Sequence, residues 1–189
     1  MTKRVIIMNF ELESQSYQAF SRVKRLAAEQ KIKAEQMAVV SHTNDGQHNF
    51  TIEDFLDFTG NNKSATGGLI GMLVGILGGP IGILLGWFTG GMIGASQDVK
   101  EVKNAEGIFK FLIDKIGEGE TGLILIADEE DNRPLNQVVM NELGGEITRL
   151  ELAEVEEDIK KAQDLAQQKK AQATAEKPAD APTDSDSEQ

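Results

Sequence analysis

Hydrophobic positions divide this chain into segments of strand and helix period, interrupted once by a long uncharged stretch. Lys3 to Phe10 is a β-branched run of strand length. From about Ser14 to Gln30, Tyr17, Phe20, Val23, Leu26 and Ala27 recur three and four apart. That spacing predicts an amphipathic helix, with Arg22, Lys24, Arg25 and Glu29 in water and Ser14 or Ser16 capping its start. Glu35 to Thr43 and Gln47 to about Phe55 read as strands flanking Asn44-Asp45-Gly46, a hairpin signal because Gly46 accepts the positive φ of the turn. Ile108, Phe109, Phe111, Leu112 and Ile116 fit a helix that stops at Gly117. Leu123 to Ala127 is continuously apolar, as in a strand covered on both faces. Pro134 suits a first helical position, Leu135, Val138, Val139 and Leu143 supply that helix's stripe, and Gly144-Gly145 ends it. Glu146 to Leu152 is the last expected strand, with Thr148, Leu150 and Leu152 on one face.

In order this is strand, helix, strand, strand, insertion, helix, strand, helix, strand. The first strand–helix–strand–strand unit, followed by helix and strand, is the order of a ferredoxin-like α+β sandwich, here extended by a further helix–strand pair. The expected organisation is a discontinuous α+β domain, 1–60 and 98–152, around an insertion at 64–97. A solvated helix follows at 153–172, because its apolar positions are sparse. From Ala173 the Ala, Pro, Asp, Ser and Glu composition cannot bury enough surface to offset ordering entropy, which predicts a disordered acidic tail over 173–189.

The insertion carries the most information. Gly67, Gly71, Gly75 and Gly79 are four apart, and so are Gly78, Gly82, Gly86, Gly90 and Gly94. The two registers meet at Gly78-Gly79-Pro80. Large apolar residues fill the spaces, and no charge occurs between Lys63 and Asp98. Each glycine weakens a helix in water by roughly 1 kcal/mol relative to alanine. The repeat becomes favourable where backbones approach closely in apolar surroundings that keep every backbone group in an intrahelical bond. Glycine at every fourth position makes a smooth groove, leaving large apolar residues on the opposite helical face, which can meet lipid. A flexible glycine-rich loop would instead be polar. The competing reading is a helix pair buried in a soluble oligomer.

About thirty residues of helix would be roughly 45 Å long, against roughly 30 Å of hydrocarbon, and each half roughly 21 Å, so length does not choose between one crossing and a hairpin. Topology does. A single crossing would split one sheet across the membrane, whereas a hairpin turning at Gly78-Gly79-Pro80 keeps it whole. Lys63, Lys100 and Lys103 agree with two cytoplasmic flanks. The short arms imply a re-entrant insertion, local thinning of the bilayer, or several copies packed together. Trp87 and Phe88, in the middle of the second arm, read as core or lipid packing.

Composition narrows the function. The 189 residues carry a formal net charge of −12, which repels a phosphate backbone, and no basic patch with interleaved aromatics offsets it; nucleic acid is not an expected partner. From Glu151 onward there are 11 acidic and 5 basic residues, so the last fifth holds −6 of that −12. Without cysteine there is no disulfide, thiolate nucleophile or cysteine-ligated metal. Lys3 and Arg4 precede only Val5-Ile6-Ile7-Met8, too short for a signal peptide and lacking a cleavage site, so a cytoplasmic start is expected.

The layout resembles a family of bacterial predicted membrane proteins of unknown function, in which a small α+β domain is interrupted by a glycine-rich apolar hairpin. The resemblance covers about residues 3 to 152. It rests on the Val5-Ile6-Ile7-Met8-Asn9-Phe10 strand, the Asn44-Asp45-Gly46 turn, the Phe58-Thr59-Gly60 approach and the glycine run. The Gly122-Leu123-Ile124-Leu125-Ile126 strand and the Gly144-Gly145-Glu146-Ile147 close also match. It implies membrane association and supplies no catalytic residues.

Other motifs read as structural. His42 and His48 flank the hairpin turn, facing each other with a three-residue loop and lying on opposite faces with a two-residue one. Even paired they give two ligands, with Asp45 a conceivable third, where zinc normally takes three or four. Asp128-Glu129-Glu130-Asp131 lacks the alternate spacing and glycine of a calcium loop and reads as a solvated turn. Glu53, Asp54 and Asp57 have no accompanying nucleophile or phosphate cradle. Gly117-x-Gly119-x-x-Gly122 precedes a strand instead of following one, the wrong context for a dinucleotide. The expectation is a non-enzymatic protein without cofactor or metal, at the cell membrane with its α+β domain facing the cytoplasm. Its partners would be the lipid bilayer and copies of itself. The alternative is a soluble homo-oligomeric scaffold or small-molecule-binding protein with the hairpins buried in the assembly.

Overall fold

The computed structural model describes residues 3–46, 49–60, 68–79 and 107–175. Five strands, β1 (Lys3–Asn9), β2 (Lys33–His42), β3 (Phe50–Asp57), β4 (Thr121–Asp128) and β5 (Glu146–Glu151), form one antiparallel sheet. Their order is β3-β2-β4-β1-β5. The helices among the described residues are α1 (Glu13–Ala28), α2 (Leu69–Gly78), α3 (Gly107–Lys115), α4 (Arg133–Asn136, continued by a π-helix at Gln137–Glu142) and α5 (Leu152–Ala175). The expected α+β class holds.

The sequence order would make β3 the third strand of the sandwich, but that inner place belongs to β4. Thr121 to Asp128 is buried at every residue and pairs with both β1 and β2. Among the described residues β3 pairs with β2 alone. The reason is charge. Glu53, Asp54 and Asp57 in an inner strand would have to lose their water, whereas at an edge they stay hydrated and discourage pairing with another chain. Glu53 is also the extra residue of a bulge, because Val39 pairs with Asp54 and Val40 with Ile52.

Both sheet faces are covered. Ile6, Met8, Met37, Val39, Leu123 and Leu125 meet Phe20 and Val23 of α1 and Leu135, Val138 and Val139 of α4 and its π-helix. On the other face Val5, Ile7, Ala38, Val40, Ile124 and Ile126 meet residues of α2, α3 and α5. Two local expectations change. The start of α1 is held by Gln15, whose Oε1 accepts from Leu12 N at 2.9 Å, not by a serine. Ser16 is buried and donates to the Thr121 carbonyl at 2.8 Å, while Tyr17 is exposed. The segment read as a solvated helix, 153–172, belongs to α5, whose Val155, Ile159, Ala162, Leu165 and Ala166 are buried. These positions recur three and four residues apart, so one face of α5 meets the core while the other stays in water.

Candidate functional site

The described part of the glycine segment is α2, and its apolar side faces inward. Ile70, Leu73, Val74, Ile76 and Leu77 are buried in one cluster with Val40, Phe50, Ile124 and Val155. For α2 this corrects the expectation that the large residues opposite the glycine groove are free to meet lipid. Burying five such side chains contributes roughly 10 kcal/mol, at about 2 each. Gly71, Gly75 and Gly78 together cost roughly 3 kcal/mol of helix propensity. Burial wins, so α2 is a helix because it is docked.

Each end of α2 has its own attachment. At the start, Gln36 of β2 lies against the Ile70 N–H, with Oε1 at 3.5 Å, and a side chain at Gly68 would overlap the Gln36 amide. At the finish, a Cβ on Gly78 would sit 2.5 Å from the Phe50 carbonyl oxygen and 3.3 Å from its nitrogen. Gly79 is extended, so the helix stops where the turn at Gly78-Gly79-Pro80 was expected; an extended residue is what a following proline favours. In between, Met72 and Gly75 face outward, and a Cβ on Gly75 would meet nothing within 4 Å. Gly78 is thus a contact glycine and Gly75 an open one. In the dispersed monomer, Gly75→Ala is expected to raise stability by up to about 1 kcal/mol in chemical denaturation, through helix propensity alone; a loss would mean that the chain's own residues occupy this face.

Of the glycine positions singled out by the sequence, Gly71, Gly75, Gly78 and Gly79 are on or next to α2. Gly67, Pro80, Gly82, Gly86, Gly90 and Gly94 lie outside the described residues, as do Trp87, Phe88, Lys63, Lys100 and Lys103. Among the described residues no helix is long and apolar enough to cross a membrane.

The remaining candidates resolve into structure. His42 is buried, its Nδ1 2.6 Å from the Ile116 carbonyl and its ring stacked on Phe50 at 4.3 Å. β2 ends at His42 and β3 begins at Phe50, with Thr43 N donating to the Asn49 carbonyl at 2.8 Å, so the loop is longer than two or three residues. Gly46 has φ of +70°, as the turn required. His48 lies outside the described residues. The edge carboxylates make local bonds: Glu53 accepts from Thr51 Oγ1 at 2.7 Å and Asp57 from Thr59 N at 2.7 Å. Gly119 takes φ of +79° in the turn before β4. A Cβ on Gly122 would meet Ile116 Cδ1 at 2.5 Å, so the glycine pattern there serves packing and turn geometry.

The acidic run is only half solvated, which corrects its reading as a solvated turn. Asp128 and Glu129 are buried. Arg149 grips Glu129 with two bonds, Nε–Oε2 at 2.5 Å and Nη2–Oε1 at 2.8 Å, while Nη2 also donates to Asn136 Oδ1 at 2.9 Å. Arg4 Nη1 stands 3.8 Å from the same carboxylate. The cluster ties β4, β1, β5 and α4 together. Sequence reasoning missed it because its members are remote along the chain. Glu130 is exposed and Asp131 half-buried, pairing with Lys33 and Arg133. The Arg133 side chain and then its backbone N–H hold the Asp131 carboxyl down at about 2. This pairing favours the folded chain above the ordinary carboxylate range and fades as pH falls through about 2. Carboxyl NMR should place the Asp131 midpoint there, and Arg133→Ala should raise it; an unchanged midpoint would exclude the pairing.

Compared with known proteins, the chain matches no family model, no curated protein and no solved structure.

Proposed function

We propose that this is a non-enzymatic, membrane-associated protein that self-associates through its glycine segment, with the α+β unit standing wholly on the cytoplasmic side. The observation that carries the reading is the absence of any charge between Lys63 and Asp98 in a chain that is 26% charged overall. The described sheet limits how such a segment can meet a bilayer. Strands from before and after it share one sheet, so the chain leaves and returns on the same side. With α2 docked, 80–97 is the uncharged part left, about 18 residues, or roughly 27 Å as a helix. Two full crossings need about 40 apolar residues. That length favours a re-entrant or interfacial insertion over two crossings. The resemblance to predicted membrane proteins and the split arrangement of β1-α1-β2 and β4-α4-β5 support a ferredoxin-like unit, extended by β3 and a second helical layer.

The second reading, a soluble homo-oligomeric scaffold, draws on the open space at Gly75. One experiment separates them. Membranes from cells making the full chain are washed with alkaline carbonate, and both fractions are sized in mild detergent. Protein retained in the pellet as an oligomer, dispersed by leucine at Gly75, Gly82 and Gly86 with the fold intact, is the expected result. A discrete oligomer in the supernatant favours the scaffold, and a soluble monomer overturns both.

A further inference from the structure

We draw no further inference here: the strongest candidate, the outward face of α2 at Gly75 beside Met72, is a small-residue surface and nothing among the described residues shows what covers it.

Discussion

Glu129→Gln is expected to destabilise the folded chain by about 3 kcal/mol, the low end of the range for removing one partner from a buried ion pair. The wild-type carboxylate is fully shielded from water, and Arg149 keeps 17% of its side-chain exposure. Neutralising Glu129 leaves two guanidinium groups, from Arg149 and Arg4, facing an amide that accepts with one oxygen. Arg149 regains some hydration, which is why the low end applies. For a chain of this size that cost lowers the melting midpoint by roughly 6–12 °C. Arg149→Met in the same background should recover part of the loss, since removing both charges of a buried pair is far cheaper than removing one. Strictly additive single and double variants would mean that the two groups do not interact in solution.

Gly78→Ala should cost roughly 1–2 kcal/mol, even though alanine is the better helix former. The new methyl group would lie 2.5 Å from a backbone oxygen of β3, and that backbone is pinned by the pairing of Phe50 with His42. A side chain could rotate away; a paired strand cannot. Overpacking of this kind costs about 1–3 kcal/mol, more than the propensity gained at a helix's last residue. Gly78→Val should cost more, because its Cβ substituents cannot avoid the same oxygen. Hydrogen exchange supplies the second readout: amides of Ile76 and Leu77 should lose protection in Gly78→Ala and keep it in Gly75→Ala. Equal protection in both would mean that α2 is not seated on Phe50.

The two variants separate two meanings of a glycine repeat. Gly71, Gly75 and Gly79 follow one four-residue register and Gly78 begins another, and the periodicity marks all of them alike as helix-packing positions. Docking distinguishes them. The face carrying Ile70, Leu73, Val74 and Leu77 is the one covered, while Gly75 looks outward. For the glycine-groove reading to describe α2, a partner must approach from outside; its own sheet supplies none there.

Element types were legible in the chain because hydrogen bonding within a helix, and the twofold or 3.6-fold rhythm of side chains, are local. Val5 to Met8, the Phe20–Val23–Leu26 stripe, the positive φ at Gly46 and the double-faced burial of Leu123 to Ala127 all follow from neighbours a few residues away. Only the tertiary structure decided which partner each apolar face takes. It put β4 between β1 and β2 and laid α2 on the sheet. It buried one face of α5 and sank Glu129 beside Arg149. A local pattern states that a surface must be covered; which surface covers it depends on competition among segments remote in sequence, and that competition is settled by charge, shape and chain path together.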